Sequence, residues 1–304
     1  AAVFEASFGL DFDPQLWRWK YETGGGRCIA ASLTREGPIV AHYGGAPRRI
    51  SYFGEPAMAI QVGDVMAMPE VRKHYGRNSL FFRTGATFLE REIGNTVSHL
   101  LGFGFPNAKA MRLALRLGLY EKTDDFKELV LSPRAIEGWQ LEPLPAGWLQ
   151  RSAEPQQLWE AMLPAFDGAI IGLRDRAYLD YRYCQHPGAE RGLYNSFLIR
   201  GVAGEPVALL LAREHGGSLL VLDCLALLEN LPDALRLFAH WAQRERAMAS
   251  KFWLTKGWLD RLGMNDCVEQ DLSIEIPCNA WNPGPDAKLL YGKWWLTAGD
   301  MDFM

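Results

Sequence analysis

The chain has no C-x-x-C pair, no long apolar run and no surplus of positive charge, and each absence removes a class of protein. Its five cysteines, Cys28, Cys184, Cys224, Cys267 and Cys278, are scattered and odd in number. Neither a disulfide framework nor a zinc site is expected, and a reduced, cytoplasmic chain is. The apolar runs fall far short of the roughly 20 residues that span a bilayer, and no basic-then-apolar signal segment opens the sequence. No membrane partner is expected. The formal net charge of −4 argues against a nucleic-acid partner, because such binding depends on Lys and Arg meeting phosphates.

What is present suits an ordinary globular protein. The 304 residues are 48 % hydrophobic and 22 % charged, enough for a sizeable core and long enough for two domains. A weak internal repeat organises them. Trp19-Lys20-Tyr21 and Tyr181-Arg182-Tyr183 are both aromatic-basic-Tyr triplets that follow an amphipathic stretch. After each comes a pair of short apolar runs joined by a glycine turn, Cys28–Leu33 with Ile39–Tyr43 and Phe197–Arg200 with Pro206–Ala212, which read as hairpins. The triplet Arg-Leu-Gly then recurs at 116–118 and 261–263. Pro133, Pro143, Pro145 and Pro155 mark a boundary, giving expected domains 1–140 and 141–304.

Within the first domain Gln61–Met68 reads as a strand. Phe82, Ala86, Leu89 and Ile93 share one helix face, with Gly85 marking a close packing contact. Val97–Phe105 reads as a further strand. Asn107 is the expected N-cap of a helix with Met111, Ala114 and Leu115 facing inward and Gly118 at its end. In the second domain Ser218–Leu228 reads as a buried strand holding Cys224, and Leu231, Leu235, Phe238 and Ala242 as a helix face. Strands and helices alternating after a hairpin predict a mixed α/β sheet with helices on both faces.

Residues 64–78 run from the strand into a basic, Gly-containing loop that opens a helix. Such a loop presents backbone N–H groups and a helix N-terminus to an anion such as a pyrophosphate. Gly76 permits close backbone approach, and Arg72, Lys73 and Arg77 supply charge. The bland alternative is a solvated basic turn. Together with Gly102–Tyr120, this loop resembles the GCN5-related N-acetyltransferase (GNAT) superfamily, whose members bind acyl-coenzyme A. The match is Lys73-His74-Tyr75-Gly76-Arg77-Asn78, with Lys and Asn in place of the usual Arg or Gln and small residue. It covers about residues 4–125 directly and the remainder as a degenerate copy.

The resemblance implies two GNAT-like domains, each a mixed, mostly antiparallel sheet flanked by helices. It implies acetyl-CoA or another acyl-CoA as co-substrate, a small-molecule or sugar amine as acceptor, and no metal. Cofactor contacts would come from Met66, Met68, Arg72, Lys73, Tyr75, Gly76, Arg77, Asn78 and Asn107. The family's first strand, which would precede Phe4–Tyr21, is not found, and a preceding piece is expected. The family's usual acid, a Tyr four residues before the Leu-Gly glycine, is Ala114 here. Candidate bases are Asp64, on the strand before the loop, and His42 and Glu55 on neighbouring strands. Asp300 and Asp302, in an aromatic tail expected to line the first domain's cleft, are candidates for holding a cationic acceptor. Two rivals remain: a non-catalytic GNAT-like binding module, and a Fem-type aminoacyl transferase, which neither the charge balance nor any heptad run supports.

Overall fold

The computed structural model describes residues 1–73 and 76–301, with the side chain of Lys73 outside the description. The chain divides into two compact units. One comprises Ala1–Ile50, Pro56–Thr123 and Ile274–Tyr291, the other Ser51–Glu55, Asp124–Ser273 and Gly292–Met304.

The first unit opens with α1 (Ala2–Phe8) and α2 (Pro14–Arg18). Asp13 starts α2 by accepting from the amides of Gln15 and Leu16, and Pro14 occupies the first turn, where its missing N–H costs nothing. A π-helical turn, Trp19–Thr23, follows. β1 (Arg27–Ser32) and β2 (Ile39–Tyr52) form the predicted antiparallel hairpin, with Ala30 opposite His42. Next come β3 (Glu55–Ala67), α3 (Leu80–Glu92), β4 (Leu101–Gly104), α4 (Ala108–Leu117) and β5 (Tyr120–Val130). Strands pair in the order β1-β2-β3-β4, and β3 and β4 are parallel.

Local chemistry sets these elements. α3 buries Phe82, Ala86 and Leu89 as its periodicity predicts. Gly85 is a close contact: an added Cβ would lie 3.0 Å from Cε2 of Tyr43. α4 begins where Asn107 accepts from the Ala110 amide and ends at Gly118, φ 73°. Met111 and Ala114 are buried, but Leu115 is 38 % exposed and Leu117 faces the core in its place. The inward stripe steps by three residues here, which puts Leu115 on its flank. The strand expected over Val97–Phe105 is only Leu101–Gly104, because Gly94 (φ 144°) and the exposed Asn95 and Thr96 form a turn before it.

The second unit continues through β6 (Gln140–Pro143), α5 (Trp148–Arg151), α6 (Glu154–Met162), β7 (Ile170–Gly172) and α7 (Arg176–Leu179). A second π-helical turn, Asp180–Cys184, comes next. Then follow β8 (Asn195–Arg200), β9 (Pro206–His215), β10 (Ser218–Ala226), α8 (Leu231–Arg246), β11 (Ser250–Thr255), α9 (Lys256–Leu262) and β12 (Val268–Asn279). α10 (Ala287–Leu290) belongs to the first unit, and β13 (Trp294–Trp295) runs parallel to β7 in the second. The large sheet is ordered β12-β5-β11-β10-β9-β8-β6. β10 is buried along its whole length, Cys224 and the polar Asp223 included. Its parallel pairing with β11 lasts only from Leu219/Ser250 to Val221/Phe252.

The order hairpin, strand, helix, strand, helix, strand thus occurs twice, as β1-β2-β3-α3-β4-α4-β5 and as β8-β9-β10-α8-β11-α9-β12. Both aromatic-basic-Tyr triplets fall within the two π-helical turns. No helix among the described residues is long and apolar enough to cross a membrane.

Candidate active site

The parallel pairing of β3 with β4 runs from Ala59/Leu101 to Val62/Gly104 and stops, while β3 continues to Ala67. β4 has no more residues to offer, since Pro106 follows and Asn107 starts α4. Pro106 also lacks the N–H that a ladder needs. Gly104 is required at the last pair, where an added Cβ would lie 2.7 Å from the carbonyl oxygen of Val62. Beyond it β3 runs on through Gly63–Ala67 without a β4 partner.

Alternation along β2 separates two environments here. Tyr43 packs on α3, its ring 5.2 Å from that of Phe88. His42 faces the other way, 5.2 Å from the Trp17 ring and 5.8 Å from that of Tyr21. His42 thus lies on the face that carries α2, and Tyr43 on the face that carries α3.

On the α2 side Asp64 is the centre. Its backbone sits in the left-handed region at φ 51°, uncommon for a non-glycine residue but tolerated by Asp better than by most. Its carboxylate accepts from Lys20 Nζ and the Tyr21 hydroxyl, each at 2.8 Å. Its carbonyl accepts from Nδ1 of His42 at 2.7 Å. A carbonyl cannot donate, so the proton is on Nδ1, and in the neutral ring Nε2 is then a bare lone pair. Nε2 is buried and has no hydrogen-bond partner among the described residues. Burial lowers the pKa of His42 below its ordinary value, and the Lys20 charge works in the same direction. Together they outweigh the Asp64 carbonyl and carboxylate, which raise it. The arrangement favours an uncharged imidazole whose Nε2 is enclosed.

On the α3 side Ser79 caps the helix by accepting from the Phe82 amide at 3.1 Å, and no acidic residue lies in the first turn. The Arg77 guanidinium stands 5.4 Å from the ring of Trp281 and 5.9 Å from that of Phe82, held over two aromatic faces. Gly76 has φ 84° and open space around its Cα, and Asn78 is exposed. Arg77 and a first turn without acidic residues make the start of α3 electropositive.

The remaining sequence-derived candidates are placed differently. Arg72 is exposed but occupied, donating from Nε to the Ala67 carbonyl at 2.6 Å and from Nη2 to Ser7 Oγ at 3.0 Å. Met66 is buried and Met68 half-buried. Asn107 spends its side-chain oxygen on the α4 cap. Glu55 is exposed at the start of β3, nine positions before Asp64. Tyr75, the Lys73 side chain and Asp302 lie outside the described residues. Asp300 is 4 % exposed and paired with Arg174 in the second unit, so its carboxylate is not open to an arriving amine. Asp64, a candidate base from the sequence, is paired with Lys20 and Tyr21. Those partners, missed from the sequence, lie in a triplet that had been noticed only as a repeat marker.

No protein-family model matches the sequence, and no curated protein matches it. Solved structures do. A protein from Enterococcus faecalis V583 described as a probable N-acyltransferase superposes with a TM-score of 0.66 at 12 % identity, over 92 % of this chain and 69 % of that one. A GCN5-related N-acetyltransferase from Anabaena variabilis ATCC 29413 gives 0.60 at 16 % identity, over 92 % and 69 %. The N-myristoyltransferase of Saccharomyces cerevisiae, solved with bound myristoyl-CoA and inhibitors, gives 0.56 at 8 % identity, over 88 % and 71 %. At such identities the likeness is one of fold. The chain has the fold of the GCN5-related N-acetyltransferases, as the loop before α3 and the Gly102–Tyr120 segment implied.

Proposed function

We propose that the protein is an acyl-CoA-dependent N-acyltransferase that moves an acyl group, most simply acetyl, to the amine of a small molecule or sugar. The observation that carries this reading is the end of the β3–β4 ladder at Val62/Gly104, with His42 bonded to Asp64 just beyond it and the Arg77 side chain near the start of α3. The coenzyme's phosphates would meet the start of α3, with Arg77, Gly76 and Asn78, and its thioester would reach the end of the ladder from that side. The acceptor amine would enter from the α2 side. Its nitrogen attacks the thioester carbonyl carbon, His42 Nε2 takes the proton released from that nitrogen, the C–S bond breaks and the thiolate leaves. Asp64, Lys20 and Tyr21 position the imidazole through the Asp64 carbonyl. On this reading residues 1–140 form the catalytic domain and 141–304 a degenerate second copy that completes the fold.

A non-catalytic binding module is the second reading, and one observation favours it. Ala114, at the place of the family's usual acid, is buried in the core at 3 % exposure. Thiol release from acetyl-CoA over a panel of amines separates the two. Turnover with any amine that is lost in His42→Gln supports the enzyme. Coenzyme A binding by calorimetry without turnover supports the module, and no binding at millimolar ligand overturns both.

A further inference from the structure

The second unit has its own parted strands, and they are filled. β10 and β11 separate after Val221/Phe252. At that point β10 carries a bulge against β9, between Val221 and Asp223. The segment Leu296–Met301 lies in the opening. On the β11 side, Thr297 bridges Leu254 and the Thr255 amide donates to the Leu296 carbonyl at 3.2 Å. On the β10 side, the Thr297 hydroxyl donates to Asp223 Oδ1 at 3.0 Å. The segment then makes a single 3-10 turn, Ala298–Asp300, closed by reciprocal bonds between Thr297 and Asp300.

The walls read this segment group by group. Arg182, in the second aromatic-basic-Tyr triplet, donates from Nε to the Gly299 carbonyl at 2.9 Å and from Nη2 to the Met301 carbonyl at 3.0 Å. Arg174 pairs with the Asp300 carboxylate through Nη2 and with Asp223 through Nε at 3.1 Å. Tyr183 donates to Asp223 at 2.5 Å. Gly299 sits so close that an added Cβ would collide with the Asp223 carboxylate and the Tyr183 hydroxyl. Two arginines face two aspartates, and all four are buried. Burial by itself would lower the pKa of Arg174, but Asp300 and Asp223 outweigh it and raise the value. In the first unit the corresponding triplet residues, Lys20 and Tyr21, close directly on Asp64.

We propose that the β10–β11 opening is a binding site for a peptide that enters as a strand and makes a single 3-10 turn, and that the protein fills it with its own segment Leu296–Met301. The site recognises two backbone carbonyls through Arg182, one carboxylate through Arg174, and a glycine between them by steric fit. The segment thus takes the place that an outside ligand would take between parted strands, and the second unit is closed to one.

The test uses the folded full chain. A protease site inserted between Tyr291 and Gly292 is cut after folding. Tyr291 is 62 % exposed, which gives the protease access. The freed fragment should stay bound through gel filtration and should exchange with an excess of fluorescein-labelled peptide covering 292–304. Unlabelled peptide should compete. Peptides carrying Asp300→Asn or Gly299→Ala should compete at least 100-fold less well. Fragment loss with the protein still folded, or equal competition by the altered peptides, overturns the proposal. If the cut chain unfolds, the intact Asp300→Asn protein is read by amide hydrogen exchange. Protection should fall over Leu296–Met301 while β9 and β10 keep theirs. Unchanged protection in the segment, or loss across the sheet alike, also overturns it. No acyl donor enters either experiment, so the outcome is separate from the acyltransferase reading.

Discussion

At the scale of single residues, His42 and Asp64 make different predictions because one nitrogen is free and one carboxylate is not. His42→Gln should lower turnover by about 100- to 10,000-fold, the range for a general base, while leaving coenzyme A affinity within error by calorimetry. The depressed pKa of His42 also has a stability consequence. The folded state resists protonation that the unfolded state accepts, so stability is fully present above the ordinary value of 6.5 and falls as pH drops below it. The melting temperature should therefore decline below that pH, and His42→Gln should flatten the decline. Asp64→Asn acts on structure as well. It leaves the Lys20 ammonium, whose side chain is 8 % exposed, without its carboxylate. Breaking such a pair costs about 3–5 kcal/mol, so urea unfolding should shift well before turnover is considered.

At the scale of elements, the end of the β3–β4 ladder depends on how β4 and α4 are held. Asn107→Ala removes the N-cap of α4 and should cost about 0.5–2 kcal/mol. Gly118→Ala forces an L side chain into the left-handed region at the other end, where the added methyl meets nothing nearer than Arg77 Nη2 at 4.0 Å. Its cost should be about 1–2 kcal/mol, from backbone strain alone. Chemical denaturation of both single variants and the double variant checks these values. The helix itself was legible from Asn107, its apolar spacing and Gly118. Its inward face differed at one position, Leu117 in place of Leu115, because the side chain that completes an inward stripe depends on the surface it meets. The shorter β4 was not legible either: Val97–Phe105 is apolar on average, and only the turn at Gly94–Ser98 breaks it.

At the scale of the whole molecule, the acyltransferase reading predicts one coenzyme A per chain. The long loop Met68–Ser79 occurs before α3, whereas β10 leads to α8 through Leu227–Asn230 alone. Calorimetry should give a stoichiometry of one. Arg77→Glu should weaken binding by roughly 10- to 100-fold, the worth of a charge-assisted hydrogen bond or two, and Arg246→Glu should not.

Local signals carried much of the fold. The hairpins, the caps at Asn107 and Gly118, the buried helix faces and the loop before α3 each depend on residues near in sequence, and so could be read from the sequence alone. The doubled order of elements showed through for the same reason, since it follows from local patterns that recur along the sequence. The partners in the polar clusters lie far apart along the chain. Lys20 meets Asp64 across 44 positions, and Arg174 meets Asp300 across 126. No periodicity encodes such a pairing, because it is set by which strands adjoin and where a parallel pair runs out of length. Tertiary structure therefore decided that Asp64 is held rather than free, that His42 keeps an unpaired nitrogen, and that Asp300 is buried against an arginine. Desolvation in the packed interior makes each of those outcomes matter, since an ion there needs a partner and a polar nitrogen there is costly to leave unpaired.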